Sequence, residues 1–71
     1  MGTGFWYNYA AQDYEHSDAP VTDEEAKRYI PQDEAAQAIY QIRREMGDSI
    51  LHAMAYTLEA SAGIPHNAPA A

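Results

Sequence analysis

Residues 22–63, TDEEAKRYIPQDEAAQAIYQIRREMGDSILHAMAYTLEASAG, carry the helical signals of this chain and decide its fold class as read from sequence. The stretch opens on a capping box. Thr22 is followed three residues later by Glu25, so the Thr hydroxyl can accept from an early backbone N–H while the Glu carboxylate reaches back to the Thr22 N–H. Val21 before the cap and Ala26 after it are placed for a weak hydrophobic staple. Asp23, Glu24 and Glu25 suit the positive end of the helix dipole. Pro31 ends this first helix early, because proline lacks a donor and pushes Ile30 out of helical geometry.

Pro31 is then expected as the first residue of a second helix. Asp33 and Glu34 would occupy its first turn and Arg43 and Arg44 its end, the charge order that the dipole favours. Ala35, Ile39, Ile42 and Met46 form one apolar stripe, expected to face a core. Gly47-Asp48 reads as a helix–helix corner, with Gly47 at the C-terminal cap and Asp48 as a new N-cap. The alternative is one long helix through Gly47, at a cost of about 1 kcal/mol. Steps of four from Ile42 through Met46, Ile50 and Met54 to Leu58 rotate by about 160° around a straight helix, which favours the break. The third helix is expected to bury Ile50, Leu51, Met54 and Leu58 and to carry Asp48, His52, Tyr56 and Glu59 on its opposite face. At its end Gly63 is placed for the left-handed position, Ile64 to pack back, and Pro65 to block continuation.

Outward from this region lie an N-terminal arm and a short tail. Phe5, Trp6, Tyr7, Tyr9 and Tyr14 are five of the chain's eight aromatic residues. Phe5, Tyr7 and Tyr9 alternate, which puts them on one side of an extended segment, with Trp6 and Asn8 on the other. Such an arm either packs across the helices and completes a thin core, or serves as an interaction segment, since Trp and Tyr are enriched at interface hot spots and an extended segment can join a partner's sheet edge. The expected fold is all-α: a short helix plus a two-helix hairpin (or one long broken helix), with an extended aromatic N-terminal arm. The division is residues 1–21 as arm, 22–62 as helical domain and 63–71 as flexible tail. Short domains bury little of their surface, so a dimeric helical bundle is expected to cover the apolar stripes.

Eleven acidic residues against four basic ones give a formal net charge of −7. Asp13, Glu15, Asp18, Asp23, Glu24 and Glu25 fall in one stretch without a Lys or Arg. Only Lys27, Arg28, Arg43 and Arg44 are basic, which argues against direct nucleic-acid binding and against docking on a membrane of anionic lipid. The order of extended segment and two helices is similar in outline to ribbon-helix-helix DNA binders, but the missing basic residues and the long acidic linker argue against that reading. The charge suits a protein partner with a basic surface, or solubility alone. With no cysteine, neither a disulfide framework nor a zinc–thiolate site is available. No apolar run approaches the ~20 residues that span a bilayer, and the first residues do not read as a secretory leader. The expected location is cytoplasmic, in its own cell or a host's.

Two constellations deserve weighing as sites. Tyr14-Glu15-His16-Ser17-Asp18 holds metal-capable groups, but not the ligand number or glycine frame of a calcium loop. Asp48 and His52, four apart on a helix, place a carboxylate beside an imidazole, an ingredient of acid–base catalysis; the same face is what any amphipathic helix shows to water. Ser17, Ser49 and Ser61 sit in no nucleophile motif, and there is no glycine-rich phosphate loop. No enzyme activity, metal or cofactor is expected. The expected function is a small acidic protein-interaction module, an inhibitor or adaptor of the kind that viruses and mobile elements encode. Its expected partner-binding residues are Phe5, Trp6, Tyr7, Tyr9, Tyr14, Asp13, Glu15, Asp18, Asp23 and Glu24. The alternatives are a self-assembling structural or accessory subunit, with the chain forming a homo-oligomer, and an antitoxin-like binder.

Overall fold

The computed structural model describes residues 4–63. Two strands, β1 (Gly4–Asn8) and β2 (Asp13–Ser17), precede a short helix α1 (Asp23–Ala26), a 3₁₀ turn (Lys27–Tyr29), and two longer helices, α2 (Glu34–Glu45) and α3 (Ile50–Ala60). The all-α expectation is therefore wrong: the chain is mixed α and β. What was expected as a single extended arm folds back on itself as an antiparallel hairpin, pairing Phe5 with His16, Trp6 with Glu15 and Tyr7 with Tyr14. The second strand escapes a propensity reading because Asp and Glu are poor strand formers. Its period is nonetheless two, with Tyr14 and His16 on one face and Asp13 and Glu15 on the other.

The four residues Tyr9 to Gln12 turn the chain between the strands. The Ala11 N–H donates to Asn8 Oδ1 at 2.9 Å, and Gln12 takes a left-handed φ of 58°, as longer hairpin loops commonly require. Two further bonds tie this turn to the helices. The N–H groups of Tyr9 and Ala10 both donate to the Arg28 carbonyl, at 2.7 and 3.3 Å.

The helix boundaries follow their caps. Thr22 accepts from the Glu25 N–H at 3.1 Å, so that half of the capping box forms. The Glu25 carboxylate reaches one residue further back than expected, accepting from the Val21 N–H at 3.2 Å. No staple forms, because Val21 is largely exposed while Ala26 is buried. Ile30 before Pro31 is extended, with φ −127° and ψ 162°, the geometry proline imposes on its predecessor. Pro31 does not start α2, however. Asp33 is the N-cap and accepts from the Ala36 N–H at 3.1 Å, since an aspartate side chain can satisfy an early helix donor and a proline ring cannot.

The chain breaks at Gly47, which takes φ +105°. The Asp48 N–H donates to the Arg43 carbonyl and the Gly47 N–H to the Arg44 carbonyl, both at 3.1 Å, which is a Schellman end. The next N-cap is Ser49 rather than Asp48, accepting from the His52 N–H at 3.2 Å. At the end of α3 it is Ala62, not Gly63, that takes the left-handed conformation, with φ 54°. Gly63 follows it and donates to the Leu58 carbonyl at 2.7 Å. A Cβ on Gly63 would lie 2.7 Å from Tyr9 Oη and 2.9 Å from Leu58 Cδ2, so this glycine is required by close approach. The roles expected of Ile64 and Pro65, and the tail beyond Gly63, lie outside the described residues.

The core contains Trp6, Ala26, Tyr29, Ile30, Tyr40, Ala53 and Met54. Trp6 meets Tyr29 edge to face, with ring centroids 6.0 Å apart. The core face of α2 is Ala36 and Tyr40, and this overturns the expected stripe. Ala35, Ile42 and Met46 are exposed and Ile39 is half-buried. Periodicity identified an apolar face there, but Asp23 of α1 offers the Tyr40 hydroxyl a partner on another side, and the helix is rotated accordingly. On α3, Met54 and Leu58 are buried as expected with Ala53 and Thr57, Ile50 is half-buried, and Leu51 faces water.

Candidate protein-interaction face

The register of the hairpin separates its aromatic residues into two populations. Opposed residues of an antiparallel pair share a face. Trp6 and Asn8 point inward and are buried, at 2% and 6% exposure. Phe5, Tyr7, Tyr14 and His16 stand on the opposite, outward face: Phe5, Tyr14 and His16 are exposed and Tyr7 half-buried. Cross-strand pairing brings these side chains together. The Phe5 and His16 rings are 5.1 Å apart, those of Tyr7 and Tyr14 are 5.1 Å apart with planes at 73°, and Tyr9 stands edge-on to Tyr7 at 4.8 Å. The result is two groups of touching rings, Phe5 with His16 and Tyr7 with Tyr9 and Tyr14, on a ribbon two strands wide.

The acidic residues separate as well. Asp23 Oδ1 accepts from Tyr40 Oη at 2.6 Å and from Arg44 Nε at 2.7 Å. These two donors hold its carboxyl below the usual carboxylate range, the Tyr40 hydroxyl contributing most. Glu15 accepts from the Tyr29 hydroxyl at 3.0 Å. Asp13 accepts from the Tyr14 N–H at 2.8 Å, while Asp18 and Glu24 are exposed. Of the ten expected partner-binding residues, Trp6 is thus in the core and Asp23 in an internal ion pair. Tyr7, Tyr9 and Tyr14 lie side by side, with Phe5 on the same face of the hairpin. Sequence reasoning missed His16 as a member of this surface, although its alternation with Tyr14 was a usable signal.

The Asp48 and His52 constellation has a structural explanation. Asp48 Oδ2 accepts from Arg43 Nε at 2.6 Å, and Asp48 Oδ1 lies 3.3 Å from His52 Nδ1. Arg43, then His52, holds the Asp48 carboxyl below its ordinary range. The Arg43 guanidinium also lies over the Tyr56 ring, 4.2 Å from its centroid, and Arg44 Nη1 donates to the Asp48 carbonyl at 2.7 Å. Together these contacts clamp the end of α2 to the start of α3, and the imidazole stands in solvent. Among the described residues, no three His, Asp or Glu side chains gather as metal ligands, and no helix is long and apolar enough to cross a membrane.

Comparison of the chain with protein-family models, curated proteins and solved structures finds no match.

Proposed function

We propose that this protein is a small acidic protein-interaction module, an inhibitor or adaptor working in the cytoplasm of its own cell or a host's, and that the outward face of its hairpin is the contact surface. The observation that carries this reading is the outward hairpin face, where exposed Phe5, Tyr14 and His16 stand with half-buried Tyr7. Among the described hairpin residues Trp6 belongs to the apolar core cluster, while the outward rings lie on the other face of the ribbon. Clustered tyrosine and phenylalanine offer large, rigid contact area with few rotatable bonds, which is how interface anchors work. The proposed target is a protein rather than nucleic acid or lipid, because two of the four basic side chains, Arg43 and Arg44, are held in internal ion pairs. The test is a pull-down comparing the wild-type chain with a Phe5→Ser, Tyr14→Ser double variant of unchanged melting temperature. A partner held by the first and lost by the second supports the reading; partners held equally by both would place the contact elsewhere.

A second reading is favoured by α2. Ile42 and Met46 are 54% and 67% exposed on one helix face, beside Ala35 and half-buried Ile39, which suits a contact between two copies of this chain. Light scattering after size exclusion tests it. A dimer that Ile42→Glu converts to monomer supports self-association, and a wild-type monomer at micromolar concentration and all salt concentrations overturns it.

A further inference from the structure

We propose that the outer edge of β2 receives an extended segment of a partner protein in which basic and apolar side chains alternate, adding a third strand to the hairpin. The proposal rests on the interaction-face reading above and names how the partner meets that face. The two strands do not stand alike in the fold. β1 buries Trp6 and Asn8 and lies against the 3₁₀ turn, whereas Asp13, Tyr14, Glu15 and His16 of β2 are all exposed. Among the described residues β2 pairs with β1 alone, and no other backbone group bonds to it. The Tyr14 N–H donates to the Asp13 carboxylate of its own strand at 2.8 Å, and the Tyr7 and Tyr14 rings meet at 5.1 Å. Both features mark Tyr7 and Tyr14 as a non-hydrogen-bonded pair of the ladder, in which opposed side chains approach closely and the backbone groups turn away from the paired strand. By the same alternation Tyr14 and His16 carry the backbone groups of the open edge, the template that an added strand uses.

The side chains along that edge set what the strand carries. Opposed residues share a face, so the register puts Tyr14 and His16 on the outward face with Phe5 and Tyr7, and Asp13 and Glu15 on the face of Trp6 and Asn8. A strand beside β2 therefore sets alternate side chains against rings on one face and against carboxylates on the other. Apolar residues suit the first row and Lys or Arg the second, since opposite charges stabilise cross-strand pairs and like charges destabilise them. The same rule disfavours a second copy of this chain at the edge, because symmetric antiparallel pairing of β2 with itself would set one row of carboxylates against the other. Glu15 is positioned before any partner arrives, by the Tyr29 hydroxyl that donates to its Oε1 at 3.0 Å. An incoming carbonyl that takes the Tyr14 N–H releases the Asp13 carboxylate to pair with a cation.

The experiment uses the full chain, labelled with ¹⁵N, and four blocked heptapeptides as probes. One alternates lysine with valine. A second has the same composition with its lysines in one block, a third has glutamate in place of lysine, and a fourth is the alternating peptide N-methylated at its valines, whose N–H groups would face Tyr14 and His16. The expected result is that the alternating peptide moves the amide proton signals of Tyr14 and His16 downfield, as new hydrogen bonds do. The block and N-methylated peptides should bind at least about tenfold more weakly. An Asp13→Asn, Glu15→Gln double variant of unchanged melting temperature should bind the alternating peptide about fivefold more weakly. Equal binding of the block or the N-methylated peptide overturns the proposal in favour of plain charge attraction. Equal binding of the glutamate peptide overturns the charge pairing on which the partner's chemistry rests. Protection of the Tyr14 and His16 amides that rises with protein concentration, without peptide, overturns it in favour of a second copy at the edge. If no probe moves a hairpin signal, the proposal fails, and the interaction face is judged separately by the pull-down described above.

Discussion

The Tyr40 hydroxyl, on the buried side of α2, donates to Asp23 Oδ1 in the first turn of α1 at 2.6 Å. Seventeen residues separate the pair in sequence, and Arg44 Nε reaches the same oxygen at 2.7 Å. One carboxylate therefore joins the start of the helical region to the middle of α2. Tyr40 is fully buried, so its hydroxyl needs this acceptor. Tyr40→Phe keeps the ring and removes the bond. It is expected to cost about 1 kcal/mol, at the low end for a charged acceptor because Asp23 is partly open to water. A thermal melt should fall by roughly 4–8 °C.

Stability should decline at both ends of the pH scale, for opposite reasons. Asp23 and Asp48 have folded pKa values below the ordinary 3.8. The unfolded chain then binds protons first as pH falls, and the stabilisation present above about pH 4 is lost on descending through the folded values. Tyr40 is pushed above its ordinary value of 10.0, by burial and then by the Asp23 hydrogen bond. Its contribution is complete below pH 10 and is lost as pH rises from there toward the folded value. Melting temperature against pH checks this: Asp23→Asn should flatten the acid limb and Tyr40→Phe the alkaline limb.

Ala62→Gly is expected to stabilise the fold. Ala62 holds a left-handed φ of 54°, which costs an L-residue about 1–2 kcal/mol and glycine almost none. Gly47→Ala should do the reverse, since Gly47 sits at φ +105° with open space around its Cα; the cost there is backbone strain alone. Gly63→Ala should destabilise by a third route, the clash of its Cβ with Tyr9 Oη and Leu58 Cδ2. Urea denaturation of the three variants gives the order, and a Gly63→Ala variant as stable as wild type would mean that Tyr9 moves aside freely.

Substitutions on the two faces of β1 should separate folding from surface. Trp6→Ala removes the largest core side chain and is expected to cost about 3–5 kcal/mol. That is a large fraction of the net stability a domain of this size commonly has, about 4–10 kcal/mol. Phe5→Ala should change stability by less than about 1 kcal/mol. Removing residues 1–14 deletes Trp6 and the first strand, so the remaining helices should lose their cooperative melt by circular dichroism.

Local signals were legible in the sequence because their physics is local. The Thr22 cap, the interruption before Pro31 and the break at Gly47 depend on residues a few positions apart, and each appears where those residues place it. The alternation of Phe5 and Tyr7 against Trp6 and Asn8 likewise foretold which rings would share a side. Some local choices were misplaced by one to three positions: α2 starts at Glu34 rather than Pro31, Ser49 caps α3 rather than Asp48, and Ala62 rather than Gly63 is left-handed. In each case side-chain reach or close packing made the selection.

Only the tertiary structure decided what those elements pack against. An acidic stretch with poor strand propensity became β2 because Tyr7 and Phe5 paired with Tyr14 and His16 across a turn tied to the Arg28 carbonyl. In the most regular apolar stripe of the chain Ala35, Ile42 and Met46 were left exposed and Ile39 half-buried, while Tyr40, whose hydroxyl has a long-range partner in Asp23, took the interior. Periodicity records that a helix has an apolar side. Which side is buried depends on the hydrogen-bonding needs of the large side chains competing for the interior, and those are met by residues far away in sequence.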